Sequence, residues 1–226
     1  MTQPQLPAAA IDLRDQRLSR CLDQGVRPIC LAIAATAAHD FVAMAHGDEE
    51  RAAEALWWAA TMLQGHTRGL SLESVRTALA ETGQPPETLW PYRATDLFPQ
   101  PQEPPASCGE PPWRLAVITR VAENRKQFER EIEAHLLSGS PVIVILAVTD
   151  MFDRPVQGIV GMPSPRAASR GNHAVLAVGV QDVLDRGRHL IVRNSWGPGW
   201  GVNGDGMLPM SYLGTHGIGA AVLTDP

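Results

Sequence analysis

The stretch from Phe98 to Pro112 divides the chain into two halves with different hydrophobic patterns. Six of its fifteen residues are proline, which lacks a backbone N–H and does not fit the interior of a helix or a central strand. We therefore expect an extended connector here, and with it a boundary between two lobes. The chain of 226 residues is long enough to bury one large core or two small ones.

The half before the connector is predicted to be mainly helical. Apolar and small residues from Cys30 to about His46 form a wide face, which predicts a central helix that other elements approach closely. A second helix is expected over Glu49–Leu63 and a third over Leu72–Glu81, the third capped by Ser71. The segment Ile11–Arg14 alternates apolar and charged residues, which predicts a short extended stretch.

The half after the connector is predicted to consist mainly of strands, with one helix over Arg125–Leu137. Apolar and β-branched runs bounded by turn residues occur at Leu115–Val121, Val142–Val148, His173–Val183, His189–Arg193 and Ile218–Leu223. Helices followed by strands predict an α+β fold with a cleft between two lobes. We expect residues 1–10 to be a disordered tail and 11–226 to be one domain, with a helical lobe over about 11–110 and a β lobe over about 111–226.

The charge of the chain argues against two classes of partner. The formal net charge is -5 and no basic run occurs, so the sequence lacks the electrostatic signature of proteins that bind nucleic acid or anionic membranes. No apolar run reaches membrane-spanning length, and the first ten residues lack the basic start and apolar core of a signal peptide.

The three cysteines, Cys21, Cys30 and Cys108, are too few and too scattered for a disulfide framework or a four-ligand zinc site. We therefore expect free thiols and a cytoplasmic location, where the environment is reducing. The remaining His, Cys and Asp residues show no metal-ligand spacing, so we expect neither a metal nor an organic cofactor.

Cys30 is a candidate nucleophile because the pattern places it in the first turn of the central helix, directly after a turn at Asp23–Ile29. Free N–H groups and the helix dipole at such a position favour thiolate over thiol. A cysteine that begins a buried helix is, however, also an ordinary small core residue. The chemical interpretation therefore needs a base and a group that orients it.

A cysteine nucleophile requires an imidazole that accepts its proton and a further group that holds this imidazole in one tautomer. Of the seven histidines, His173 stands out because it opens a strongly apolar strand directly after a polar loop. Asn194 follows a later strand and begins a loop rich in Gly and Trp, so its amide can orient His173 under the indole of Trp196. The same loop composition also suits a platform that binds carbohydrate or peptide.

Three blocks of the sequence together resemble the catalytic motifs of the papain-like cysteine peptidases, and they occur in that family's order. They are Asp23-Gln24-Gly25 with Cys30 six residues after Gln24, Asn172-His173-Ala174-Val175, and Asn194-Ser195-Trp196-Gly197. The resemblance covers about residues 11–224. It implies a two-lobed fold, with a central helix in the helical lobe, a barrel-like antiparallel β lobe, and the active site in the cleft between the lobes.

The resemblance implies a role for each matching residue. Cys30 is implied to be the nucleophile and His173 the base and acid, with Asn194 holding the His173 ring. Gln24 is implied to donate its amide, together with the Cys30 backbone N–H, to the oxyanion of the tetrahedral intermediate.

The substrate-binding residues implied in the same way are Gly69, Trp196 and Asn172, with the Gly69 loop pairing with the substrate backbone. The expected reaction is hydrolysis of a peptide bond in a protein or peptide substrate through a Cys30 thioester. Two alternatives stay open, namely acyl or peptidyl transfer to another acceptor, and a catalytically idle module that binds a peptide.

The chain departs from the family pattern around the nucleophile. The usual Cys-Gly-Ser-Cys-Trp is replaced by Arg27-Pro28-Ile29-Cys30-Leu31, so the disulfide-forming cysteine before the nucleophile is absent. We expect a bacterial type of the family without disulfides and, since the chain begins near the family's mature start, without an inhibitory prosegment. Restraint of its activity then requires another means, such as a regulatory or activating protein partner.

Overall fold

The structure is a computed structural model that describes residues 10–94, 100–122, 124–164 and 166–226. The described part of the first half begins with strand β1 (Ile11–Asp12) and then carries helices α1 (Arg14–Arg17), α2 (Cys30–Ala43), α3 (Ala53–Gln64) and α4 (Leu72–Glu81). Short 3-10 helices lie at Met44–His46 and Ala106–Cys108. Of the predicted tail, only residue 10 lies inside the described ranges, and residues 98 and 99 of the connector lie outside them.

The described part of the second half carries strands β2 (Val117–Arg120), β3 (Val142–Val148), β4 (Gly171–Val183), β5 (Gly187–Arg193), β6 (Asp205–Pro209) and β7 (Gly217–Thr224). Its helices are α5 (Phe128–Leu137), preceded by a 3-10 helix at Arg125–Gln127, α6 (Asp150–Asp153) and α7 (Met210–His216). The strands pair antiparallel in the order β2-β7-β3-β4-β5-β6, and β1 pairs with β4. The predicted α+β fold, with helices in the first half and an antiparallel sheet in the second, is confirmed.

Strand β4 lies inside the sheet and is buried on both of its faces. Ala174, Leu176 and Val178 belong to the core that the sheet shares with α2, α3 and α4. The alternating residues Val175 and Ala177 belong to a second core on the opposite face, which α5 and α7 cover. Because both faces are covered, the strand appears in the sequence as a continuous apolar run.

Helix α2 is the central helix that the sequence predicts, and all its residues from Leu31 to Phe41 are buried. Five of these eleven residues are alanine, whose small side chain lets α2 lie close to β4, β7 and α3. Cys30 is the first residue of α2. The packing of α2 therefore determines where the candidate nucleophile lies.

Helix α3 begins at Ala53, four residues later than the sequence pattern predicts. The residues before it are held in an extended conformation by tertiary hydrogen bonds. The Arg51 backbone N–H donates to the Asp40 carboxylate at 2.6 Å, and the Ala52 N–H donates to the Pro85 carbonyl at 2.9 Å. These bonds outweigh the helical propensity of the segment.

Four short elements, α1, α6, α7 and β6, are not predicted by the sequence patterns. They contain four to seven residues each, and elements of this length depend on tertiary packing for their stability. Within the described ranges, no helix is long and apolar enough to cross a bilayer. Cys21, Cys30 and Cys108 are all free.

Asp40 makes the stability of the fold depend on pH. It is buried inside α2, and burial raises its pKa from 3.8 to about 7, although hydrogen bonds from the Arg51 backbone and Ser19 oppose this. The folded state therefore holds a proton between about pH 4 and 7 that the unfolded state releases. Stability consequently falls as the pH rises through this range and then levels off.

We expect Asp40→Asn to unfold at a higher temperature than the wild type at pH 8, with little difference between the two proteins at pH 4. The asparagine oxygen can still accept the Arg51 N–H, and the gain reaches up to about 4 kcal/mol if the burial cost is fully removed. Thermal unfolding between pH 4 and 8 measures this difference, with Asp185→Asn in an exposed turn as the control. A constant difference across the whole pH range contradicts the assignment.

Candidate active site

A cleft of about 710 Å³ lies between the start of α2, the loop before α4 and the start of β4. Five of the seven predicted site residues line it: Gln24, Cys30, Gly69, Asn172 and His173. The other two, Asn194 and Trp196, lie against His173 on its far side. The fold thus brings together residues that are up to 172 positions apart in the sequence, since Gln24 lines the cleft and Trp196 packs against His173.

Cys30 lies half-buried at the first position of α2, where the N-cap residue Ile29 makes no side-chain capping bond. Burial raises the pKa of the Cys30 thiol, and the backbone N–H groups of Ala174, Leu31 and Cys30 oppose this shift without cancelling it. Burial therefore opposes the stabilisation of the thiolate that the helix N-terminus is expected to provide. A base must take the proton.

His173 is buried at 4% exposure, and burial lowers its pKa to about 4. The hydrogen bond with Asn194 acts in the opposite direction and is the weaker effect. The imidazole is therefore neutral at pH 7 and can accept a proton. Because the Cys30 sulfur lies beside the backbone N–H of Ala174, the residue after His173, the thiol and the imidazole face the same space.

The hydrogen bonds of Asn194 determine which nitrogen of His173 carries the proton. The Asn194 Oδ1 accepts the Ser195 backbone N–H at 2.8 Å, so this atom is an acceptor. His173 Nε2 lies 2.6 Å from the same oxygen and must therefore be protonated. Nδ1 is left with a free lone pair, which is the state a general base requires.

Three aromatic rings cover the contact between His173 and Asn194. The Trp196 ring lies 4.7 Å from the imidazole and the Phe152 ring 5.8 Å from it, measured between centroids. Trp200 stacks on Phe152 at 5.1 Å and donates its indole N–H to the Phe152 carbonyl at 3.0 Å. Asn194 itself is 2% exposed, so its hydrogen bond to the imidazole is shielded from water and strengthened.

The side chain of Gln24 is held at both ends. Its Nε2 donates to the Arg27 carbonyl at 2.9 Å, and its Oε1 accepts the Ser195 hydroxyl at 2.7 Å. The Gln24 backbone N–H also donates to the Ser195 carbonyl at 2.8 Å. One N–H of Nε2 remains for a ligand in the cleft, as an oxyanion donor requires.

Gly69 and Asn172 lie on the two sides of the cleft. Gly69 has a φ of +106°, a conformation that other residues rarely adopt, and its carbonyl accepts the Gln64 side-chain N–H at 2.6 Å. Asn172 is the second residue of β4, and it is exposed. Pairing of a substrate backbone with the Gly69 loop stays a prediction, as does substrate binding by Asn172 and Trp196.

Four residues that support the site were not predicted from the sequence, namely Ser195, Phe152, Arg27 and Glu54. Arg27 holds the Gln24 amide through its carbonyl, and Glu54 pairs with the Arg27 side chain. Ser195, whose hydroxyl holds Gln24, lies inside the Asn194-Ser195-Trp196-Gly197 motif, and this position is its signal in the sequence. Glu54 is the single charged residue between Arg51 and His66, in a helix that is otherwise apolar and rich in alanine. Such an isolated carboxylate signals a buried ionic partner. Phe152 comes from a four-residue helix and has no comparable signal.

The described residues contain no group of three or more His, Cys, Asp and Glu side chains placed to hold a metal ion. The groups that converge on the cleft are a thiol, an imidazole with a free Nδ1 and two N–H donors. Together they can transfer a proton from sulfur to nitrogen, attack an electrophilic carbonyl and stabilise the resulting oxyanion.

A family model described as papain family cysteine protease matches residues 7–219 of the chain. An uncharacterized peptidase C1-like protein of Acanthamoeba polyphaga mimivirus is 37% identical over 90 residues, which are 38% of this chain and 28% of that protein. Ananain of Ananas comosus is 29% identical over 111 residues, which are 49% of this chain and 31% of ananain. Both matches cover less than a third of the relative's own length.

Solved structures share the fold over nearly the whole chain. Xylellain, a cysteine protease from Xylella fastidiosa, superposes with a TM-score of 0.77 at 23% identity, covering 97% of this chain and 87% of xylellain. A cysteine protease from Carica candamarcensis superposes with a TM-score of 0.72 at 21% identity, covering 96% of this chain and 98% of that protein. At these identities the likeness concerns the fold.

We expect iodoacetamide to label Cys30 at pH 6–7 much faster than Cys21 or Cys108. Burial raises the pKa of all three thiols, and Cys30 is the one that shares a cleft with a neutral imidazole. His173→Ala should slow the labelling of Cys30 at pH 7 by at least about tenfold, because the thiol then ionises only at its own raised pKa. The rate should recover as the pH rises.

Peptide mass spectrometry of the labelled protein reads all three sites at once, so Cys21 and Cys108 serve as internal controls. Equal labelling of the three cysteines, or a Cys30 rate that does not respond to His173→Ala, contradicts the assignment of His173 as the base.

Proposed function

The chain belongs to the papain family of cysteine proteases, and on this premise we propose that it hydrolyses peptide bonds through a Cys30 thioester. The observation that carries the proposal is the protonation state of His173. Nε2 keeps its proton and donates it in a hydrogen bond to the Asn194 Oδ1, which leaves Nδ1 as a base in the cleft that Cys30 lines. A protein or peptide is the substrate class that fits an open cleft of this size.

In the acylation half of the proposed reaction, the Cys30 proton moves to His173 Nδ1 as the sulfur attacks the peptide carbonyl carbon. The carbonyl oxygen becomes an oxyanion, which accepts hydrogen bonds from Gln24 Nε2 and the Cys30 backbone N–H. Cys30 begins α2, so its N–H has no acceptor within the helix. Collapse of this intermediate breaks the C–N bond, and His173 returns the proton to the leaving amine.

In the deacylation half, His173 takes a proton from water, and the resulting hydroxide attacks the thioester carbon. The same two N–H donors stabilise the second oxyanion. The C–S bond then breaks, the carboxylic acid leaves, and His173 returns its proton to the Cys30 sulfur. Asn194 keeps the Nε2 proton in place throughout, so the ring acts through Nδ1 in both halves.

The connected set of Gln24, Cys30, His173 and Asn194 supports an active enzyme over an idle peptide-binding module. Gln24 is held by a side-chain hydrogen bond, His173 and Asn194 are hydrogen-bonded to each other, and Cys30 begins α2. Catalysis needs these arrangements, whereas peptide binding alone does not. Acyl transfer uses the same thioester and differs only in the acceptor that resolves it, so it is an outcome of the test below.

We further propose a reducing compartment such as the cytoplasm, for which the three free cysteines are the support. A bacterial type of the family, activity without a prosegment and restraint by a protein partner stay predictions.

We expect the protein to cleave an unstructured protein such as casein, and Cys30→Ser to lower kcat/KM by at least about 10³-fold, since the hydroxyl is a far weaker nucleophile here. Cys21→Ser should retain activity and serves as the matched control. Mass spectrometry of the products in the presence of an added amine or thiol separates hydrolysis from transfer. Absence of cleavage, with peptide still bound, favours the idle module.

Arg68 suggests a preference among peptide substrates. It is exposed and lines the cleft, and the described cleft-lining residues include no Asp or Glu. We expect acidic residues near the scissile bond to be preferred over basic ones, and Arg68→Glu to lower kcat/KM for acidic peptides roughly two- to fivefold, the size of an exposed ion pair. Peptide-library profiling measures this, with Arg130→Glu on the exposed face of α5 as the control. An unchanged profile contradicts the role of Arg68.

A further inference from the structure

Arg27 is 2% exposed and is, after Trp57, the largest fully buried side chain in the part of the chain that the structure describes. It lies three residues before the proposed nucleophile. Its two terminal nitrogens each donate to one oxygen of Glu54 on α3 at 2.9 Å, which makes a bidentate pair. Burial lowers the pKa of Arg27, but the hydrogen bonds and charge of Glu54 outweigh this and raise it, so the guanidinium stays charged. A buried pair of this geometry connects the loop before α2 firmly to α3.

The pair is part of a larger cluster with the segment around Tyr92. Arg27 also donates to the Arg93 carbonyl at 3.1 Å, and the Arg93 backbone N–H donates to Glu54 at 3.0 Å. The guanidinium lies over the Tyr92 ring at 4.9 Å, and the Tyr92 hydroxyl donates to the Asp23 carbonyl at 2.7 Å. The loop from Asp23 to Arg27 is therefore anchored at both of its ends.

The backbone of Arg27 connects this anchor to the active site. Its carbonyl accepts the Gln24 Nε2–H at 2.9 Å, and its N–H donates to the Gln24 carbonyl at 3.1 Å. A displacement of Arg27 therefore moves the amide that faces the cleft. Arg27, which is buried, occupies the position at which the sequence resemblance places the family's disulfide-forming cysteine.

We propose that Arg27 and Glu54 are positioning residues, whose ion pair holds the Gln24 amide where it stabilises the oxyanion. This inference rests on the proposed function. Removing one partner of a buried pair leaves an uncompensated charge, so the loop shifts to expose it. Misplacement of a catalytic donor by about 1 Å can cost on the order of 10²-fold in rate. Neither residue contacts the substrate or the reacting atoms in this proposal.

The test is a double-mutant cycle of Glu54→Gln and Gln24→Ala, read by peptide hydrolysis. Glu54→Gln keeps the size of the side chain and removes its charge. We expect it to lower kcat about 10- to 100-fold with KM nearly unchanged, because the lost interaction forms only in the transition state. In the Gln24→Ala background the same substitution should cost less than about threefold, since the donor it positions is gone. Glu73→Gln, in an exposed ion pair with Arg76, is the control and should have no effect.

The rate of Cys30 alkylation by iodoacetamide is a second readout, which distinguishes this role from a general loss of structure. A general loss of structure would change the alkylation rate as well as kcat. This displacement of iodide forms no oxyanion, so its rate in Glu54→Gln should stay within about twofold of the wild type. Equal effects of Glu54→Gln in both backgrounds overturn the proposal, and so does an alkylation rate that falls as far as kcat. If Glu54→Gln does not fold, Arg27→Lys keeps the charge, loses the bidentate geometry and enters the same cycle.

A peptide aldehyde separates failure of this inference from failure of the proposed function. The Cys30 sulfur adds to the aldehyde carbon, the thiol proton passes to His173, and the carbonyl oxygen becomes an oxyanion in the same site. If the wild type hydrolyses no peptide, the proposed function fails, yet the aldehyde still reports on the donor. Affinity for the aldehyde should then fall at least about tenfold in Glu54→Gln, and an unchanged affinity overturns the inference.

Discussion

The packing of the first turn of α2 against the first residues of β4 is the contact on which the active site depends. Helix α2 is buried along its length and rich in alanine, and β4 is covered on both faces. Both elements are therefore rigid, and the loops between them carry the remaining groups. A thiol and an imidazole on two such elements keep their relative position without a direct covalent link.

Burial shifts the pKa values of the two groups proposed to react, Cys30 and His173, in opposite directions. It raises the pKa of Cys30 and lowers that of His173, so each group taken alone is neutral at pH 7. Transfer of the proton creates two charges at once, and each stabilises the other in the shielded site. The reactivity that we propose for Cys30 therefore belongs to the pair, with Asn194 and the aromatic cover as its support.

The loop before α2 shows how a buried ion pair can anchor an active-site segment. Arg27 and Glu54 connect this loop to α3, while Ser195 holds the Gln24 amide from the side of the sheet. The Gln24 amide, which we propose as the oxyanion donor, thus lies between two anchors from different halves of the chain. A charge pair of this kind, unlike a disulfide, is not opened by thiol reductants, which suits a chain whose three cysteines are free.

The sequence by itself determined the α+β class, the central helix, α4 and most strands, because the hydrophobic period is a local signal. Its short motifs also predicted the set of Gln24, Cys30, His173 and Asn194, which the fold brings together around one cleft. Only the tertiary structure decided where α3 begins, since Asp40 and Pro85 bind the residues before it. It also decided the ionisation of Cys30 and His173 and the partner of Arg27. Burial and pairing between distant residues depend on the folded arrangement, which no local pattern contains.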